Sequence, residues 1–236
     1  MSFYSEFAPY YEQIFPFREN VFSFLKKYIT EGGLILDAGC GTGHYCGKFS
    51  EEGYSIIGVD LDEEMISFAK RKYQKARFFT LNLLDIDLLL EKYSFVYSIG
   101  NVVSHLNPKQ LSQFFEKLSK LLSLKCHLVI QIVNWDFIIG QTEFSFPDRV
   151  FEESNITFKR SYSLISNDSV NFNISLLKDK EIIFKETSKL FPITKEDIQK
   201  VSKKTGFEIL NHYSEYNYTD FDVNRNSGSI YVLRKI

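Results

Sequence analysis

The chain has 236 residues, with 28 basic against 30 acidic side chains and a net charge of −2. With no long basic run, that balance gives no support for a nucleic-acid groove, and no apolar run approaches the roughly 18 residues of a membrane helix. Cys40, Cys46 and Cys126 form neither an even set nor a metal-ligand spacing, so a reduced cytoplasmic protein without a metal is expected. Glu6, Glu12, Arg18 and Glu19 are not the residues of a signal peptide, and the length suits one α/β domain with an insertion or two small domains.

Residues 3–16, FYSEFAPYYEQIFP, are aromatic and punctuated by Pro9 and Pro16. They read either as an arm packed on the domain or as a lid whose ring faces meet a bound cation. A helix is expected from about Phe17 to Ile29, with Val21, Phe22, Leu25 and Ile29 on one face and Gly32 and Gly33 ending it. Leu34 to Gly43, LILDAGCGTG, then reads as a buried strand entering a tight loop, with Gly39, Gly41 and Gly43 at alternate positions. Glycine permits positive φ there and lets a ligand lie against the backbone. A helix over Thr42–Glu52 would add free N–H groups at its start. A dinucleotide site wants GxGxxG, but the frame beginning at Gly41 meets Cys46 where the third glycine belongs. Asp37 stands before the glycines instead. A carboxylate at the strand tip repels pyrophosphate and attracts an ammonium group. Cys40 sits inside the loop.

Ser55 to Val59 is the expected second strand, with Asp60 at its C-terminal end. About 20 residues past the glycine loop, an acid there accepts hydrogen bonds from both ribose hydroxyls of a nucleoside, and Leu61 and Met65 flank the base. Asp62 is placed to cap the next helix, to Lys72. Arg77 to Leu81 is the third strand, followed by Asn82-Leu83-Leu84-Asp85, with Asp85 expected to cap a short helix. Tyr93 to Gly100 is the fourth. Pro108 opens an amphipathic helix to about Leu122, and residues 127–133 form the fifth strand. Residues 140–192 break the βα rhythm: they read as three or four antiparallel strands with turns near Asn167-Asp168 and Lys178-Asp179-Lys180. Such a sheet is either a lid over a substrate mouth or a dimer surface. Thr194 with Asp197 starts a helix that ends at Gly206, and Phe207–Tyr213 with Ser229–Arg234 completes the main sheet.

The order Asp-x-Gly-x-Gly-x-Gly at residues 37–43 resembles motif I of class I S-adenosylmethionine (SAM) methyltransferases, and the resemblance extends over most of the chain. It implies that Asn82, where the family often has Asp, accepts from the adenine amino group through its carbonyl. Tyr11-Glu12 matches the Tyr-acid pair of many small-molecule methyltransferases. Gly100-Asn101-Val102-Val103-Ser104-His105-Leu106 is similar to the GN-x-x-x-HL segment of the glycine/sarcosine-like group. That likeness implies that Gly100 lets the methionine part of the cofactor lie close, and that Asn101 and His105 face the reaction cavity or hold its loop. Asn134-Trp135-Asp136 resembles an Asn-Tyr-Asp segment of the same group, with Trp135 in place of Tyr. The Asn/Asp-Pro-Pro-Tyr tetrapeptide of nucleic-acid amino methylases is missing from the end of the fourth strand.

The expected fold is therefore α/β: a doubly wound, seven-stranded, mostly parallel sheet of Rossmann-like methyltransferase type. Residues 1–139 and 193–236 form the SAM-binding core and 140–192 an inserted antiparallel sheet. The expected activity is SAM-dependent methyl transfer to a small-molecule N- or O-nucleophile. A SAM-binding module without transferase activity and an NAD-dependent oxidoreductase are the rivals. The expected cofactor contacts are Tyr11, Asp37, Gly39, Cys40, Gly41, Gly43, Asp60, Leu61, Met65, Asn82, Leu83 and Gly100. His105 and Asn101 are the catalytic candidates, and Tyr11, His105, Asn134, Trp135 and Arg225 face the substrate, with Arg225 a partner for a substrate carboxylate. The partner is a small molecule, not nucleic acid or membrane, and a homodimer would form through the inserted sheet.

Overall fold

The computed structural model describes residues 8–30 and 32–236, so the aromatic residues 3–7 of the expected arm lie outside the described residues. Seven strands form the main sheet: β1 (Ile35–Ala38), β2 (Ile56–Asp60), β3 (Arg77–Thr80), β4 (Tyr93–Ser98), β5 (Leu122–Val133), β11 (Phe207–Tyr213) and β12 (Gly228–Lys235). Their spatial order is β3-β2-β1-β4-β5-β12-β11. Strands β1 to β5 pair in parallel, and β12 runs antiparallel to both β5 and β11.

The two-residue period of a strand explains both cores. In β1, Ile35 points to one face and Leu36 and Ala38 to the other; in β4, Phe95 and Tyr97 oppose Val96. One face packs on helices α2 (Glu19–Lys26), α3 (His44–Glu51) and α4 (Glu63–Lys72) through Phe22, Leu25, Phe49 and Ile66. The other packs on α5 (Pro108–Leu121) and α7 (Lys195–Thr205) through Phe114, Phe115, Leu118 and Ile198. Because β2 and β4 both flank β1 and their connections lie on opposite faces, the chain splits beside the tip of β1. Ligands bind in the crevice that such a split opens in doubly wound sheets.

Caps fix the helix starts. Asp62 accepts from Met65 N at 3.0 Å, and Thr194 with Asp197 makes the reciprocal capping box, with Gly206 in the left-handed conformation after the last turn. The expected cap role of Asp85 fails: Asn82 caps that short turn, accepting from Leu84 N at 2.9 Å, and Asp85 lies inside it with non-helical angles. Asn82 stands at the residue before the turn, where an Asx side chain reaches the N–H two residues on.

Between β5 and α7 the chain builds a second sheet of β6 (Phe144–Ser145), β7 (Arg149–Phe151), β8 (Ile156–Ser163), β9 (Val170–Lys178) and β10 (Glu181–Leu190). There are five strands where three or four were expected. The two added ones, β6 and β7, are too short to carry an alternating pattern, and both pair with β8. Asp179 and Lys180, both with positive φ, turn β9 into β10, the geometry of a two-residue hairpin. One face of this sheet holds Ile156, Phe158, Ile174 and Leu176 against Ile14 of α1 (Ala8–Ile14). Tyr162, Val170 and Leu190 join the buried cluster of the main sheet. The chain returns from β10 through a hydrogen bond from Phe191 N to Ser104 O at 2.8 Å.

Candidate active site

The loop after β1 is shaped by the tip of β2. Gly39 N and Cys40 N both donate to Val59 O, at 2.8 and 2.9 Å. Gly41 N donates to Asp60 Oδ2 at 2.8 Å, while Asp62 N donates to Asp60 Oδ1 at 3.0 Å. Asp60 thus holds the loop and keeps lone pairs for a further donor. Two glycines are required here. Gly39 has φ of +95°, and a Cβ on it would lie 2.4 Å from a Val102 methyl. Gly41 has φ of +54°, and a Cβ there would crowd the Tyr11 hydroxyl at 3.2 Å.

Asp37 lies on the α3 face of β1, opposite Tyr97 in the β4 register. Its Oδ2 accepts from Cys46 Sγ at 3.4 Å, and its Oδ1 is buried without a hydrogen-bond partner. Burial pushes its carboxyl up to about 7; the neighbouring Tyr97 hydroxyl and Cys46 thiol offset part of that shift, and the Asp60 charge adds to it. Burial raises the Asp60 carboxyl as well. Two desolvated carboxylates at one loop form a place for a cation and for hydroxyl donors.

These groups open into a cavity of about 720 Å³, between the tips of β1, β2 and β4 and the second sheet. The volume is that of a small-molecule site. Of the sequence-predicted cofactor contacts, Tyr11, Asp37, Gly39, Cys40, Gly41, Asp60, Leu61, Met65, Asn82, Leu83 and Gly100 all line it. Gly43 does not. It has φ of +77° ahead of α3, and a Cβ on it would sit 2.6 Å from Phe78 and 3.1 Å from Ala69. Its small size serves helix–strand packing instead. The Asn82 carbonyl oxygen is committed to the Leu84 cap.

Asn101 and His105 line the cavity too. Asn101 holds its loop: with φ of +67° it accepts from Ser104 Oγ at 2.8 Å and from Val133 N at 3.2 Å. The surrounding protein lowers the pKa of His105 from the usual 6.5 by desolvating the charged form. Gly100 has φ of +82° with open space where a Cβ would point, and its N–H donates to Gln131 Oε1 at 2.6 Å.

The three substrate residues expected after β5 lie elsewhere. Trp135 is fully buried and donates through Nε1 to Ser104 Oγ at 2.8 Å, which places it behind the loop that carries Asn101. Buried Asn134 caps α6 (Trp135–Ile138), and its amide donates to the carbonyls of Asp222, Val223 and Arg225. Arg225 is 73% exposed and pairs with Asp222 at 3.1 Å. In this segment apolar and amide side chains anchor loops from behind instead of facing the cavity.

Sequence reading missed what the arm and the second sheet contribute. Phe15, Phe146, Arg149, Phe158, Arg160, Tyr162, Phe172 and Ser188 all line the cavity. Tyr11 and Phe15 enter it because α1 is pinned on two sides. Glu12 pairs with Lys72 and accepts from Tyr73 Oη at 3.0 Å, and Arg149 donates to Ile14 O. Alternation in β8 placed Phe158, Arg160 and Tyr162 on one face and was the available signal, but no motif said what that face covers. Among the described residues no group of His, Cys, Asp and Glu is placed to hold a metal ion, and no helix is long and apolar enough to cross a membrane.

Comparison with known proteins agrees with this geometry. Residues 35–124 match a family model described as a methyltransferase domain. YqeM of Bacillus subtilis (strain 168), provisionally named a methyltransferase, is 23% identical over 223 residues, which cover 88% of this chain and 86% of YqeM. A SAM-dependent methyltransferase from Clostridium acetobutylicum superposes with a TM-score of 0.81 at 17% identity, over 99% of both chains. The SAM-bound amino pentose methyltransferase CalS10 of Micromonospora echinaspora superposes with a TM-score of 0.71 at 15% identity, over 100% of this chain and 92% of that one. Residues 35–124 thus carry the signature of a methyltransferase domain, and the whole chain shares the fold of S-adenosylmethionine-dependent methyltransferases.

Proposed function

We propose that this methyltransferase acts on a small-molecule acceptor through an N- or O-nucleophile, with the second sheet as the cover of the acceptor site. The observation that carries the reading is that one continuous cavity holds both sets of residues. Its strand-tip end has the carboxylates and glycines suited to the cofactor, and its other end is roofed by aromatic side chains of α1, β8 and β9. A roofed cavity suits a molecule that enters whole. The relative CalS10, an amino pentose methyltransferase, supports the same substrate scale.

The residues fit SAM. The carboxylate of Asp37 offers a counter-charge to an ammonium, and Asp60 offers acceptor lone pairs to a ribose diol. Leu61, Met65 and Leu83 give apolar walls for a base. A phosphate beside two carboxylates would be repelled, which disfavours the dinucleotide rival. When bound, SAM supplies a methyl group already activated by its sulfonium. The chain's own task is then to align the acceptor and exclude water. An acceptor amine arrives neutral and loses a proton after its N–C bond forms. An acceptor hydroxyl gains from a base, and His105, which lines the cavity and is kept neutral by its surroundings, is the group we assign to that role.

Calorimetric titration of S-adenosylhomocysteine, with NAD as control, followed by methyl-transfer assays on amine, carboxylate and phenol acceptors, tests the reading. Micromolar product binding with turnover of a small acceptor is expected. Turnover of a protein or nucleic-acid substrate alone would overturn it. His105→Ala separates the nucleophiles: a loss of about 10²-fold or more in kcat is expected for a hydroxyl acceptor and little change for an amine.

A further inference from the structure

Arg149 and Arg160 line the roofed end of the cavity. Arg149 on β7 stands opposite Phe158 on β8, and Arg160 lies two residues beyond Phe158, so both arginines share one face as diagonal cross-strand neighbours. The carboxylate next to them in the chain bypasses them: Asp148 pairs with Lys159. Among the described residues neither arginine has a carboxylate in an ion pair. The cations that act on them press against their charge, with the Tyr162 hydroxyl offsetting part of this at Arg160. Arg18, also at the cavity, presses on Arg149, and Arg149 presses on Arg160.

Burial holds the Arg160 guanidinium down to about 10, and its Nε is sealed from solvent with no hydrogen-bond partner among the described residues. Aromatic rings surround it: Phe146 lies 4.6 Å from its Cζ, Phe158 5.8 Å and Phe15 5.9 Å. Arg149 sits 5.0 Å over Phe15 and donates to Ile14 O. Ring faces offset part of the cost of burying a cation, but they accept none of its directional N–H bonds. Two like charges held side by side in an aromatic wall, with a buried donor unused, make an incomplete arrangement. The chemical group that completes it is planar or tetrahedral, carries oxygen acceptors and is negatively charged.

We infer that the acceptor is an acid: an apolar or aromatic body seated among Phe15, Phe146, Tyr162 and Phe172, with a carboxylate or phosphate held by Arg160 and Arg149. This rests on the reading of the cavity as a small-acceptor site. It moves the acid-binding role from Arg225 to two residues of the second sheet. It also gives the cavity a polarity, with the carboxylates of Asp37 and Asp60 at the cofactor end and the guanidinium groups at the roof. An acid entering in the reverse sense would meet like charge, so the same arrangement sets the orientation of the nucleophile.

The test is calorimetric titration of benzoate, phenyl phosphate and neutral benzamide into the protein with and without saturating S-adenosylhomocysteine. It is repeated on Arg160→Met, Arg149→Met and Arg225→Ala. At least one anion should bind at least tenfold more tightly than benzamide, with the benzoate and phenyl phosphate arms telling carboxylate from phosphate. Each of the two methionine variants should lose at least tenfold in anion affinity, while Arg225→Ala and the affinity for S-adenosylhomocysteine stay unchanged. Arg160→Gln replaces Arg160→Met if the latter does not fold, as judged by its melting transition. Binding of neither anion to the wild-type protein, equal binding of benzamide, or full anion affinity in both arginine variants would overturn the inference. Failure of S-adenosylhomocysteine to bind would count against the cofactor assignment instead, and the titrations without it would still decide the anion site.

Discussion

The two ends of the cavity are built on different plans. At the strand tips the glycine loop and β2 set the geometry: one short segment, residues 37–41, and one acid, Asp60, are tied by backbone hydrogen bonds of 2.8–2.9 Å. At the roof, α1, β7, β8, β9 and β10 each contribute one to three side chains, and no single segment makes a site. The first end presents desolvated carboxylates and the second presents arginines among rings. The cofactor end is thus set by a fixed local backbone, whereas the roof is assembled from side chains of separate segments, where the proposed reading puts acceptor choice.

Substitutions at the strand tips should therefore hurt stability and cofactor affinity and leave acceptor selection alone. The largest effect is expected from Gly39→Ala. It combines a positive φ, worth about 1–2 kcal/mol, with the 2.4 Å approach to Val102, worth about 1–3 kcal/mol of overpacking. A melting temperature within a degree of wild type would show that the loop yields freely and would break the contrast. Asp60→Ala comes next, with a loss of at least tenfold in S-adenosylhomocysteine affinity, about 1.4 kcal/mol, and no change in anion binding at the roof. Unchanged affinity would remove Asp60 from the ribose role.

The mildest effect is a pH dependence. The Asp37 carboxyl titrates near 7 in the folded protein, well above its usual range, because burial disfavours its charged form. Between the usual carboxylate range and pH 7 the folded state therefore binds more protons than the unfolded one, so the ligand-free protein should lose stability as pH rises across that window. A bound ammonium needs the deprotonated form, so S-adenosylhomocysteine should bind several-fold more tightly at pH 8 than at pH 6. Asp37→Asn should flatten both trends, as followed by thermal melts and calorimetry at the two pH values. If the trends persist in the variant, the titrating group is another one.

Much of the fold could be read in advance because its signals are local. An apolar run, a cap or a glycine reports on its own few residues, as at LILDAGCGTG, Asp62 and the Thr194–Asp197 box. The errors share a cause. Asn134, Trp135 and Arg225 have side-chain chemistry suited to a substrate, yet two of them anchor loops from behind and the third faces solvent in an ion pair. Gly43 has the same local pattern as its neighbours and a different duty, because Phe78 and Ala69 close on it from other elements. Sequence pattern conveys what a residue is able to bond, not the direction in which packing turns it.

The strand–glycine loop–helix unit and the acids Asp37 and Asp60 are legible in the chain alone, since each depends on preferences within a short contiguous segment, and the family resemblance they carry implies the doubly wound sheet and the cofactor class. The folded arrangement is what chooses the lid reading of α1 and the second sheet, brings Arg149 and Arg160 together across β7 and β8, and turns Trp135 away. Those outcomes depend on strand register and on the docking of segments more than a hundred residues apart, such as Arg149 on Ile14. The free energy that fixes them is burial shared among many side chains, which no local motif encodes.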